Sequence, residues 1–208
     1  MAGTKSTAGW TYDVHPGLAM VQSIIAGMKQ KTGRSLEEWV QWVKQHGPAT
    51  EKERRDWLKS KHGLGATAAQ FITESSVGKG NDGDPGKYLK SAAINVEKMF
   101  SGPKAGLRPI YNALLISARK LGKDVKICPR QTIVPFFRHH VFAQIKPTTQ
   151  TRIDLGLALK DMKVPRRLID TGGFARNDRI TRRIEITSVA AIDEEVIRWL
   201  KTAYQMDA

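Results

Sequence analysis

The sequence predicts an α+β protein: a small N-terminal helical bundle followed by an antiparallel β-sheet domain flanked by helices, in the order α-β-β-β-β-α. Three observations carry this. Apolar residues recur at three- and four-residue spacing through the first half, and the spacing shifts to two after Gly122. Two capping-box patterns punctuate the first part of the chain. A glycine-rich stretch, 77–87, then separates the halves.

Leu18, Val21, Ile25 and Met28 mark one face of a first helix, which Lys31-Thr32-Gly33 closes with basic residues and a glycine. Ser35-Leu36-Glu37-Glu38 opens the next, whose face holds Leu36, Trp39, Val40 and Val43, and His46-Gly47-Pro48 stops it. Thr50-Glu51-Lys52-Glu53 repeats the device ahead of Trp57 and Leu58, with a stop at His62-Gly63. Residues 66–72 predict a fourth short helix. Trp39, Trp42 and Trp57 are the expected core, because a small helical unit needs large apolar groups to offset its folding entropy. The expected divisions are a helical domain over 17–75, a linker and bridging helix over 76–104, and an α+β domain over 105–206.

In the second half, Leu107, Ile110, Tyr111, Leu114, Ala118 and Leu121 predict an amphipathic helix ended by Gly122. Val125 and Ile127 alternate, as do 133–137 and 141–146, with Arg138-His139-His140 as a tight connection. Ile153, Leu155, Leu157 and Leu159 line one face of the next strand, and 182–187 reads as the last. Ile192, Val196, Trp199, Leu200 and Ala203 predict a closing helix. The sheet's other face is expected to carry Arg138, Gln144, Lys146, Arg152 and Asp154.

The net charge of +14 is unevenly placed. Residues 105–183 hold 17 Lys+Arg against 5 Asp+Glu, and eleven of those cations are arginine. Arginine suits bidentate contact with phosphate or carboxylate, so this span is where an anionic partner is expected. The candidate contacts are Arg138, Lys146, Arg152, Arg166, Arg167, Arg176, Arg179, Arg182 and Arg183. No apolar run is long enough to cross a bilayer and no secretory h-region opens the chain, so a cytoplasmic location and no membrane partner are expected.

Catalytic and cofactor motifs are not found. Residues 78–83 match G-x-G-x-x-G by letter, but polar residues precede them and Asp84-Pro85-Gly86 follows, so a loop is expected instead of a dinucleotide site. His139 and His140 are adjacent and would point to opposite faces of a strand, which argues against metal chelation. Cys128 reads as a small buried filler, and Asp193-Glu194-Glu195 as charge complementing a helix N-terminus. No catalytic residue, metal site or cofactor is therefore assigned.

Several segments carry a resemblance. They include 31–39 (Lys-Thr-Gly-Arg-Ser-Leu-Glu-Glu-Trp), Trp57-Leu58-Lys59, His62-Gly63-Leu64-Gly65, Leu107-Arg108-Pro109-Ile110-Tyr111, 142–147, 152–157 and 199–204. Together they make the chain similar to a bacterial two-domain family catalogued as a pair of domains of unknown function. The resemblance implies the domain order, a helical domain before an α+β domain, and no chemistry. A strand that reads Thr-His-Arg in that family is here Thr181-Arg182-Arg183, so any role of that histidine is one this chain lacks.

The function expected from the residues is non-enzymatic nucleic-acid binding by the Arg-rich α+β domain. No aromatic stacking set marks the sheet, so contact with the backbone is expected. The alternatives are an adaptor that binds an acidic protein, with the helical domain as its docking part, and a binder of a small anionic ligand near Arg138, Lys146, Arg152 and Asp154.

Overall fold

A computed structural model describes residues 11–79, 83–163 and 165–208. The chain forms two compact units, Pro16–Tyr88 and Leu89–Ala208, the second joined by the described residues 11–15.

The first unit is helical: α1 (Gly17–Ala26), α2 (Met28–Thr32), α3 (Leu36–His46), α4 (Glu51–His62) and α5 (Ala66–Ser76). Both capping boxes form, with Ser35 and Thr50 accepting from the N–H of Glu38 and Glu53 while those carboxylates bond back. The first predicted helix is divided at Gly27, whose backbone (φ −83°, ψ −4°) flattens where no side chain supports the turn. The core consists of Met28, Leu36, Trp39, Val43, Leu58, Leu64, Ala69 and Ile72. Of the three tryptophans expected there, Trp39 is fully buried, whereas Trp42 and Trp57 pack against the core with part of each ring in solvent.

The bridging helix, expected over 88–100, is α6 (Pro85–Met99) and starts three residues earlier. The cause is Asp84, whose Oδ1 accepts from Gly86 N at 2.6 Å and Lys87 N at 3.0 Å, ahead of a proline that needs no N–H partner. The G-x-G-x-x-G letters fall partly on residues 80–82, outside the described residues.

The second unit carries α7 (Arg108–Arg119), α8 (Glu194–Gln205) and six strands. These are β1 (Lys126–Ile127), β2 (Val134–Phe137), β3 (Val141–Pro147), β4 (Ile153–Leu157), β5 (Ile169–Asp170) and β6 (Arg182–Ile186). They form one antiparallel sheet in the order β1-β2-β3-β4-β6-β5. The sheet has six strands against the four of the expected order; the two edges are two residues each, β1 falling where Val125 and Ile127 alternate and β5 in a stretch that reads as irregular. Register puts Val134, Phe136, Ala143, Ile145, Leu155, Leu157, Ile184 and Ile186 on one face, all without exposed surface. Between β2 and β3 the register shifts, leaving Phe142 as an extra residue. It is buried, tilted against Phe136 and edge-on to Tyr204 of α8.

Residues 11–15 dock on this unit. Asp13 N donates to Ile127 O, Ile127 N donates to Asp13 Oδ2, and the hydroxyls of buried Tyr12 and Tyr111 lie 3.0 Å apart. Among the described residues, no helix is long and apolar enough to cross a membrane.

Candidate functional site

The polar face of the sheet is set by the same register. Lys146 stands opposite Asp154, Asp154 opposite Glu185, and Arg183 opposite Gly156, so these charged groups share one face. Arg152, two residues before Asp154, joins them. Arg152 reaches Glu185 at 2.8 Å, and Arg183 reaches Glu185 at 2.7 Å and Asp154 at 3.2 Å. Asp154 is nearly buried, and its Oδ2 accepts from Thr148 at 2.8 Å. Its Oδ1 lies 3.0 Å from Arg152 Nε, but the two are misaligned and neither makes a hydrogen bond. The Arg183 hydrogen bond, together with nearby Arg152, holds the Glu185 carboxyl below the usual glutamate range. Of the residues expected on this face, Arg138 is elsewhere, bonded through Nε to Asp124 at 2.7 Å and lying over the Tyr204 ring.

The other predicted arginines are also engaged. Arg167 bonds Asp193 at 2.6 Å and Glu195 at 2.9 Å, the acids of the α8 N-terminus. Asp193 also caps that helix by accepting from Val196 N. Arg179 bonds buried Asp207 at 2.7 Å. Arg182, largely buried, bonds Asp170 and the carbonyls of Thr181 and Met162. Arg176 donates to the Thr171 carbonyl. Counting Arg108 with Glu97 and Arg119 with Asp13, eight of the eleven arginines in 105–183 have carboxylate partners. None of the six lysines of that span has one among the described residues.

The excess charge therefore resides on a different set from most of the predicted one. Lys120, Lys123, Lys126 and Arg130 lie on or near edge strand β1, all exposed. Lys160, Lys163, Arg166 and Arg176 lie in the segments flanking edge strand β5, also exposed. Lys146 is the one exposed cation without a carboxylate bond, among the described residues, that sits within an interior strand. Lys146, Arg166 and Arg176 belong to the predicted contacts; the remaining six do not. The discriminating signal is residue type. A planar, weakly hydrated guanidinium suits fixed pairing within a fold, and a strongly hydrated ammonium stays in water.

Burial pushes the Cys128 thiol up to about 12, so it is a filler with no thiolate character at neutral pH. His139 is exposed, and His140 faces Asp207. Among the described residues, no group of three His, Cys, Asp or Glu side chains is placed to hold a metal ion.

The ionisable groups fix the sign of the pH response. Hydrogen bonds from Tyr204 and Arg138 lower the Asp124 carboxyl, and Arg167 lowers Asp193 and Glu195. Such groups stabilise the fold above their unfolded values, and the contribution is lost as pH falls through the folded ones. His15 and His62 are lowered from 6.5, first by burial and then by Arg130 and Arg34 respectively. Below that value the unfolded chain binds their protons first, which also destabilises the fold as pH falls. Melting temperature measured against pH is expected to decline in two stages, one starting near 6.5 and one starting in the ordinary carboxylate range and continuing below it. A Tm that rises on acidification would contradict this.

The profile described as Domain of unknown function (DUF5655) matches residues 96–207, and the chain belongs to that family. Residues 20–74 match a second, Domain of unknown function (DUF4287), giving the two-domain architecture implied by the resemblance. No curated protein and no solved structure matches the chain.

Proposed function

We propose that the protein is a non-enzymatic, cytoplasmic nucleic-acid-binding protein whose α+β unit holds the phosphate backbone through its exposed, unpaired cations. The observation that supports this is the segregation of charge within residues 105–183: most arginines of that span are bonded to carboxylates, and nine exposed cations of the span have no carboxylate partner among the described residues, eight of them grouped by the two sheet edges. Such groups lose little by exchanging water and small ions for phosphate.

The test is binding to random-sequence duplex DNA and to RNA over a range of salt. If about four phosphates are engaged, affinity falls roughly 100-fold between 50 and 200 mM salt. Reversing Lys163 and Arg166, or Lys120 and Lys123, is expected to weaken binding equally across sequences. It is also expected to flatten the salt dependence by about one unit of log–log slope for each phosphate no longer neutralised. Reversing Arg167 or Arg179 instead breaks ion pairs inside the fold and is expected to lower stability. No binding at low salt, or binding insensitive to salt, would sink the proposal and leave an acidic protein as the partner to seek.

A further inference from the structure

A cavity of about 120 Å³ lies within the second unit, between the segment after β4, the segment before β6 and the end of α8. Its lining includes apolar Ala158, Ala203 and Met206, together with Phe174, which is 58% exposed. Lys160, Arg179 and Thr181 also line it.

Each of these three has donor capacity the fold does not use. Thr181 is 2% exposed. Its Oγ1 accepts from Leu159 N at 3.3 Å, yet its own proton meets no acceptor among the described residues. A buried hydroxyl donor without an acceptor is costly, and a ligand oxygen would satisfy it. Arg179 bonds Asp207 through Nη2 and the Val141 carbonyl through Nε, leaving Nη1 unengaged. Lys160 has no partner among the described residues and is held at φ +52°, a left-handed backbone that lysine rarely adopts. The two acids that line the cavity are bonded from the protein side, Asp207 by His140 N and Arg179 and Asp178 Oδ1 by Ile180 N at 3.1 Å, so the lining holds two carboxylates beside two cations, and its unused donors are those of Lys160, Thr181 and Arg179 Nη1.

We propose that this cavity binds a small monocarboxylate, its oxygens on the Lys160, Arg179 and Thr181 donors and its alkyl end against Ala158, Ala203 and Met206. The volume takes about four to six non-hydrogen atoms, which spans acetate to butyrate. The apolar lining residues favour a carboxylate with a short chain over inorganic phosphate. The site is separate from the phosphate-backbone contacts proposed above and stands or falls without them.

The experiment is thermal melting of the full chain with acetate, propionate, butyrate, inorganic phosphate and butylamine, each at tens of millimolar and matched ionic strength. Propionate and butyrate are expected to raise Tm by about 3 °C, with acetate weaker and phosphate and butylamine without effect. Lys160→Gly relieves the backbone conformation, so its unliganded Tm is expected to hold or rise while the carboxylate shift disappears. Thr181→Val keeps the volume and is expected to cut the shift measured from its own baseline. Equal shifts from phosphate, a shift from butylamine, no shift from any carboxylate, or an undiminished shift in Lys160→Gly would each overturn the assignment.

Discussion

Trp39→Ala is expected to remove about half or more of the stability of the helical unit while leaving that of the β-sheet unit intact. Trp39 is 2% exposed at the centre of the Pro16–Tyr88 core. Its Nε1 donates to Thr32 Oγ1 at 2.8 Å, its edge meets His62, and Arg34 lies over both its ring and that of Trp42. Removing a buried tryptophan costs about 3–5 kcal/mol, because the lost transfer energy adds to a cavity that short helices cannot refill. A unit of this size has roughly 4–10 kcal/mol in total. Hydrogen exchange reads the outcome: amides of α3 to α5 are expected to lose protection, whereas those of β3 and β4 keep it. Trp39→Phe is expected to lose about 1–2 kcal/mol and stay folded. Loss of protection in both units of Trp39→Ala would show that they do not fold separately.

The second large effect is expected at Asp154. Its carboxylate lies between two guanidinium groups, with Lys146 opposite in register. Asp154→Ala leaves three cations on one face with Glu185 alone to balance them, and is expected to cost about 3 kcal/mol, less than a fully buried pair because both arginines keep some contact with water. For a unit of this size that is roughly 10 °C in Tm. Removing Arg183 as well, in Asp154→Ala with Arg183→Leu, leaves the 2.8 Å Arg152–Glu185 pair balanced. The double variant is expected to recover at least half of the loss in urea unfolding followed by far-UV circular dichroism. Additive losses would mean that the four charges are not coupled.

The sequence made the regular elements legible and most charge pairings illegible. Capping boxes at Ser35 and Thr50 and the two-residue period of β3 and β4 are local signals, and both formed in the fold. The Asp84-Pro85 start of α6 was also local, and its chemistry was readable from the dipeptide alone. The engagement of Arg167 with Asp193, of Arg179 with Asp207 and of Arg119 with Asp13 spans 26, 28 and 106 residues. No local pattern encodes such pairs. A count of arginines consequently registers as unspent charge what the fold consumes internally. The same holds for the cavity by α8, whose cationic lining residues come from the segments after β4 and before β6.

The docking of residues 11–13 along β1 has a consequence for how the protein meets copies of itself. An open sheet is a template: a free row of N–H and C=O groups accepts another strand from any neighbour. Here Asp13 occupies Ile127 on the outer side of β1, and β5 at the other end offers two residues, one of them the charged Asp170. Residues 11–13 shield one edge of the sheet, and at the other β5 pairs only with Arg182 and Arg183, so the stretch of β6 left for a neighbour's strand is residues 184–186, too short to seed extended growth of the sheet from molecule to molecule.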